Sequence, residues 1–354
     1  MGGSLDLDRD ASDRLLEQVN RARANATPLR IQGSNSKAFL GREVAGEVLD
    51  TREHRGIVHY DPTELVITAR AGTPLRELLA TLDAAGQHLP CEPPAFGEDA
   101  TVGGMIAAGL SGPRRPWAGS VRDFVLGTRM ISGHGTLLRF GGEVMKNVAG
   151  YDLSRLLAGS FGCLGVITEV SLGVLPKPRH SLSIRLEMTS AEALEKLAEW
   201  GRQPLPISAA CHDGDCLGLR LEGGEGSVNA ARQRFGGEVI DGQYWSDLNE
   251  HRLAFFDEGQ PLWRLSLPNH IGPLDLPGTQ LIDWAGAQRW LKTDAKTLQA
   301  LAHEVGGHAT CYSHGVIDTP FQPLAPALLR YHRRLKAQLD PLGLFNPGRM
   351  YPEF

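Results

Sequence analysis

The usual signatures of a nucleotide or metal site are missing from this sequence. No Gly-x-Gly-x-x-Gly follows a strand and opens a helix with an acidic residue about 20 positions on, which excludes the Rossmann fingerprint. The P-loop pattern Gly-x-x-x-x-Gly-Lys-Ser/Thr is absent too. Its nearest approach, Gly159-Ser160-Phe161-Gly162-Cys163-Leu164-Gly165, has the wrong spacing and runs into a strand. Cysteine is sparse: Cys91, Cys163, Cys211, Cys216 and Cys311 are odd in number and never spaced Cys-x-x-Cys, so they encode neither a disulfide framework nor a zinc or iron–sulfur site. Such thiols fit a reducing compartment. No apolar run approaches the ~18 residues of a membrane span, and the start is polar and acidic where a secretory signal is basic, then apolar. These absences predict a cytoplasmic chain that reaches a membrane, if at all, at its inner face through partners. A net charge of −5 argues against nucleic acid, so the basic run 330–336 is expected to decorate one helix face.

Glycine, by contrast, is abundant: 42 in 354 residues, well above the typical ~7%. The densest stretch is 97–112, Gly-Glu-Asp-Ala-Thr-Val-Gly-Gly-Met-Ile-Ala-Ala-Gly-Leu-Ser-Gly. Glycine exposes main chain, and converging N–H groups make an anion nest; Thr101 and Ser111 add hydroxyls beside them. Val102, Met105, Ile106, Ala107, Ala108 and Leu110 would pack that backbone down, which favours a diphosphate cradle over a set of surface turns. Gly33-Ser34-Asn35-Ser36-Lys37 is a second small, polar turn; on its residues alone it reads as an ordinary Ser/Asn turn.

The length suggests two domains. Leu15, Leu16, Val19 and Ala22 recur at helical spacing, and 29–32 reads as a strand. Residues 65–69 form a strand, Pro74 opens a helix carrying Leu75, Leu78, Leu79 and Leu82, and Gly86 closes it. Segments 125–131 and 136–140 pair across Gly133-His134-Gly135, and 164–175 is a long strand. Pro176 and Pro178 punctuate the chain, placing a first domain at 1–178. The second, 179–322, reads strand, helix capped by Thr189 and Glu192, two strands, helix, strand: the β-α-β-β-α-β order of a ferredoxin-like antiparallel sheet. Further strands at 263–267, 280–284, 289–292 and 308–313, and a helix at 295–305, extend it. The last segment, 323–354, is expected to return to the first domain.

In order and spacing, the stretches 33–37, 61–72, 89–112, 142–153, 159–175 and 340–349 resemble the FAD-linked oxidases of the vanillyl-alcohol oxidase type, whose flavin domain is called PCMH-type. The strongest pieces are Ala100-Thr101-Val102-Gly103-Gly104, the run from Gly142 through Lys146, Gly150 and Asp152, the run from Gly159 to Thr168, and the closing Phe345-Asn346-Pro347-Gly348. The likeness implies an α+β, two-domain fold: a PCMH-type FAD domain, an antiparallel cap, and a tail returning to the flavin domain. It implies FAD held at its diphosphate between Gly33, Ser34, Asn35, Ser36 and Lys37 on one side and Thr101, Gly103, Gly104, Ala107, Gly109, Ser111 and Gly112 on the other. Lys37 and Arg114 would help. Gly165, Val166 and Ile167 would face the adenine, Pro90 would line that pocket, and 146–151 would approach the flavin ring. Relatives with covalent flavin use a histidine in the first loop; Ser34-Asn35-Ser36 here implies dissociable FAD, with Cys91 and Cys163 read as buried apolar residues.

No catalytic base or carboxylate-binding residue can be singled out from twelve histidines. The metal-binding Gly-Asp-Gly-Asn…His signature of single-chain relatives is missing, and Cys211-His212-Asp213-Gly214-Asp215-Cys216 reads as a hairpin tip, so no metal is expected. The resemblance therefore implies an FAD-binding subunit of a glycolate oxidase-like complex acting on 2-hydroxy acids. A homologous FAD-linked subunit would carry the catalytic site, and an iron–sulfur subunit would take the electrons. The alternatives are a self-sufficient FAD dehydrogenase for a 2-hydroxy acid or sugar alcohol, and a non-redox nucleotide-binding scaffold.

Overall fold

The computed structural model describes residues 8–142, 153–257 and 259–354. The chain forms two compact units. The first combines Met1–Leu110, Ser120–Pro176 and Leu324–Phe354; the second combines Ser111–Gly119 with Lys177–Pro323.

In the first unit, helix Ser12–Asn25 buries the periodic Leu15, Val19 and Ala22, and Ala26 ends it in the left-handed region. Strand Leu29–Gln32 then pairs in parallel with Glu47–Asp50. A five-stranded antiparallel sheet follows, in the order Ile57–Asp61, Val66–Arg70, Val166–Gly173, Val125–Ile131, Leu137–Gly141. Its apolar face, with Ile67, Ala69, Val170 and Leu172, is covered by helix Leu75–Ala84 through Leu75, Leu78 and Leu82 and by helix Val102–Ala108 through Val102, Met105 and Ile106. Pro74 is the residue before the first of these helices rather than its first turn. The glycine-dense stretch is centred on the second.

The tail is fastened to this unit by a buried charge cluster. Lys336 Nζ donates to Cys163 O, Phe345 O and Asp340 Oδ2, each at 2.7 Å, while Asp340 accepts from the N–H groups of Leu344 and Phe345. Every charge there has a partner, which is what makes a buried ion pair tolerable. The tail also brackets Leu29: Leu29 N–H donates to Leu344 O (2.7 Å) and Asn346 N–H to Leu29 O (3.0 Å).

The second unit is one eight-stranded antiparallel sheet. Its order is Glu238–Ile240, His180–Glu187, Cys216–Gly223, Ile207–His212, Thr279–Asp283, Gln288–Lys292, Leu262–Ser266, His308–Cys311. Helices Ser190–Trp200 and Glu225–Phe235 bury Leu197, Trp200, Val228 and Ala231 against Ile184, Leu217 and Leu219, completing the expected β-α-β-β-α-β order. Thr189 and Glu192 form the reciprocal capping box. The helix expected over 295–305 spans only Leu298–Glu304. The segment 211–216 is the turn between Ile207–His212 and Cys216–Gly223: Gly214 takes φ +114°, and His212 is engaged by Met188 O and Gly214 N–H.

Candidate cofactor site

Strand Leu29–Gln32 delivers the chain into residues 33–36, and there the backbone stops pairing. Among the described residues, the N–H groups of Gly33, Ser34, Asn35 and Ser36 have no hydrogen-bond acceptor. Asn35 sits in the left-handed region at φ +64°, and its carbonyl accepts from Ala38 N–H at 3.0 Å, which turns the segment back on itself. Successive open N–H groups beside a left-handed residue form a concave partial positive charge, suited to an anion. Ser36 Oγ and Lys37 Nζ both donate to Ala95 O at 2.9 Å, so these side chains brace the turn.

Thr101 faces this segment. It caps helix Val102–Ala108, its Oγ1 accepting from Gly104 N–H at 3.2 Å, and a Cβ added to Gly33 would collide with that same oxygen. Main chain at both 33–37 and 101–112 was expected to supply peptide donors. The structure corrects that expectation at the start of the second stretch, because Val102 N–H donates to Thr73 O (2.9 Å), Gly103 N–H to Ala71 O (2.7 Å) and Gly104 N–H to Thr101 Oγ1. What the helix offers instead is a hydroxyl and bare surface.

Gly103 and Gly104 divide the work between them. A Cβ on Gly103 would lie 2.7 Å from Ala71 Cβ and 3.1 Å from Ala71 O, so this glycine lets the helix lie on the sheet. A Cβ on Gly104 would meet only Thr101 Oγ1, at 3.1 Å, and would otherwise enter open space.

That space is two cavities with shared walls, about 110 and 70 Å3. Their lining brings together Gly33, Ser34, Asn35, Ser36, Lys37, Thr101, Gly103, Gly104, Ala107, Gly165 and Ile167. Other expected residues are not part of this lining. Val166 is fully buried in the core with Ile131, Pro90 is buried away from this lining, and Gly109 ends the helix at φ +64° against the backbone of Gly159. Ser111 and Gly112 belong to the second unit, as does Arg114, whose guanidinium is committed to Glu222 by two hydrogen bonds. Burial raises the Glu222 pKa, but the Arg114 hydrogen bond and the charges of Arg220 and Arg114 outweigh it and leave the pKa below the ordinary value. The expected approach of 146–151 to the flavin ring lies outside the described residues.

The structure adds residues that were not among the expected cofactor contacts. Asn346, at φ +40°, accepts from Ile31 N–H through Oδ1 (2.8 Å) and donates to Phe161 O through Nδ2 (2.7 Å), so the tail forms part of the wall. Arg349 lines the larger cavity and donates to the carbonyls of Arg42, Lys37 and Ala38. Burial lowers its pKa, yet an arginine remains a cation. Gln32 Oε1 is buried at the wall with no hydrogen-bond partner among the described residues, a position that asks for a donor from a bound molecule. Among the described residues, neither lining includes a histidine, cysteine or tyrosine. Cys91 and Cys163 are buried, and burial pushes their thiols up to about 12 and about 11, values at which thiolate chemistry is suppressed.

A two-unit α+β fold with an open-N–H turn facing a glycine-bearing helix defines the PCMH-type class of FAD-binding oxidoreductases. Comparison with known proteins agrees: a family described as "FAD binding domain" matches residues 11–141. Among solved structures, alkyldihydroxyacetonephosphate synthase superposes with a TM-score of 0.66 over 96% of this chain and 75% of its own, at 18% identity, a likeness of fold. The chain belongs to the family of glycolate oxidase subunit GlcE, being 63% identical to that protein of Escherichia coli (strain K12) over 346 residues, 97% of this chain and 98% of the relative. Partial likenesses reach glycolate oxidase subunit GlcD of Bacillus subtilis (31% over 169 residues, 48% of this chain and 36% of that protein) and D-lactate dehydrogenase of Archaeoglobus fulgidus (35% over 165 residues, 46% and 36%). FAD is therefore its cofactor. Among the described residues no helix is long and apolar enough to cross a membrane, and no three His, Cys, Asp or Glu residues cluster as a metal site would require.

Proposed function

We propose that this chain is the FAD-binding subunit of a complex that oxidises 2-hydroxy acids, glycolate to glyoxylate in the first place and D-lactate as a second substrate. Electrons leave through an iron–sulfur partner subunit, and a homologous FAD-linked subunit carries the catalytic site. The single observation behind the cofactor half of this reading is the row of four open N–H groups at Gly33–Ser36. The near full-length identity to a glycolate oxidase subunit supports the substrate half. Bound FAD supplies a two-electron acceptor.

The chain's own residues do the holding. The turn 33–36 takes the diphosphate through peptide N–H groups, Thr101 adds its O–H, and Arg349 offsets negative charge from the tail. Gln32 Oε1 accepts from a hydroxyl of the cofactor. Gly104 and Ala107 keep the wall low. With no histidine, cysteine or tyrosine among the described lining residues, FAD is held non-covalently. The five buried, unpaired cysteines serve packing, so the iron–sulfur centre belongs to the partner.

Two measurements on the purified chain test the proposal. Tagged protein should carry releasable FAD and co-purify with an iron–sulfur protein and a second flavoprotein. Rapid bleaching of its flavin by glycolate with no partner present would instead establish a self-sufficient dehydrogenase, and failure to take up FAD would sink the redox reading altogether.

A further inference from the structure

The tail carries a run of cations that the cofactor site leaves unused. Helix Pro326–Leu339 holds Arg330, Arg333, Arg334 and Lys336 and no acid. The basic run 330–336 was expected to decorate one face, and the structure divides it. Lys336 turns inward to its buried cluster, Leu335 and Leu339 pack on the core of the first unit, and His332 stacks on Phe354. With about 3.6 residues per turn, the opposite side of the helix carries Arg330 and Arg334, with Ala327 and Ala337 beside them and Arg333 and Tyr331 on the two flanks. All six are exposed, and Tyr331, at 65%, is the most exposed large hydrophobic side chain among the described residues.

Among the described residues, none of the three guanidinium groups has a hydrogen bond, an ion pair or a ring contact. Arg330 stands three and four residues from Arg333 and Arg334, the spacings at which a helix usually pairs opposite charges and at which like charges repel. A negative surface laid across the helix would remove that repulsion. The whole chain has a net charge of −5, so this local excess of cations is not a general property of its surface.

The observations separate the occupants such a face could take. A membrane surface suits a helix whose apolar side is free to enter lipid, and here Leu335 and Leu339 are committed to the protein's own core. A second copy in a two-fold dimer would set the same arginines against themselves. Nucleic acid is disfavoured by the net charge. An acidic protein surface meets every observation: arginine and tyrosine are residue types that concentrate binding energy at protein interfaces, and the two alanines let a partner's backbone approach.

We propose that the outer face of this helix docks an acidic patch of a partner subunit, with Arg330 and Arg334 at its centre and Tyr331 and Arg333 at its edges. The proposal rests on the reading of the chain as one subunit of a larger oxidase, and names the surface through which it joins.

The test is binding of the FAD-loaded chain to the two partner subunits of that complex, the iron–sulfur protein and the second flavoprotein, followed by biolayer interferometry. Wild type should bind at least one of them, with an association rate that falls as salt is raised. Arg330→Glu/Arg334→Glu should weaken that binding roughly tenfold or more. Arg202→Glu, at an exposed arginine of the second unit, should leave it unchanged, with FAD content equal in all. Arg330→Lys/Arg334→Lys keeps the charge and should keep the binding. A carbodiimide should then join its new amines to partner carboxylates as amides, the reagent taking up the water released. Should the reversed variant fail to fold, this cross-link decides. Equal affinity of the reversed variant and wild type, or no cross-link from those amines to a partner carboxylate, would overturn the proposal. Loss of flotation with phosphatidylglycerol vesicles in the reversed variant, with subunit binding intact, would assign the face to a membrane instead. A wild type that binds neither subunit defeats the multi-subunit reading and this one with it; a reversed variant that assembles normally defeats this one alone.

Discussion

Two regions of the first unit present themselves to anions by opposite means. In the first, the turn 33–36 offers uncharged peptide N–H groups whose direction is set by the parallel pairing of Leu29–Gln32 and by the tail residues Asn346 and Arg349. In the second, the tail helix offers the full charges of Arg330, Arg333 and Arg334. Peptide dipoles fixed by the fold lose little to salt and require shape, whereas exposed cations are screened and tolerate variation in what they meet. The contrast suits a tightly kept cofactor in one region and an acidic protein surface in the other.

Several changes would break or sharpen this contrast. The largest effect is expected from Gly104→Leu, which fills the cavity beside Thr101: FAD retention should fall by roughly a hundredfold or more, read from flavin absorbance after gel filtration, while the circular dichroism spectrum stays that of the wild type. Gly103→Ala, one position away, should act on stability instead. Its methyl group meets Ala71, and the loss should be about 1–3 kcal/mol in denaturant unfolding, with FAD still bound by the folded fraction. Raising the salt from ~0.05 to ~0.5 M should weaken partner-subunit binding several-fold and leave FAD retention almost unchanged; equal sensitivity would erase the proposed difference. The smallest effect belongs to Thr101→Ala, which removes a helix cap worth about 1 kcal/mol and releases the Gly104 N–H to the cavity, so the FAD lost with the hydroxyl is partly restored.

Sequence reasoning reached the cap most fully. Leu182, Ile184 and Leu186 alternate, and Thr189-x-x-Glu192 announces its helix, because period and capping are local properties. The same reasoning found the glycines at 103 and 104 but not their separate tasks. Absence of a side chain is visible in a sequence; the arrival of Ala71 O and Thr73 O at the helix N–H groups, from 30 residues earlier, is not. For that reason the turn at 33–36, which looked unremarkable by composition, proves to hold the open donors. Strand Glu47–Asp50 escaped notice because it is short and mostly exposed, with no periodic apolar face. Asn346 meets Ile31 and Phe161, 315 and 185 residues away, distances that leave no local signal.

The claim on which the rest depends is that open main chain at 33–36, facing a low wall at Gly104, holds the flavin. Its most direct measurement is the FAD-to-protein ratio of the purified wild type beside Gly104→Leu, each with a matching thermal unfolding curve. The account predicts a yellow wild type and a colourless variant that unfolds cooperatively. A variant as yellow as the wild type would contradict it.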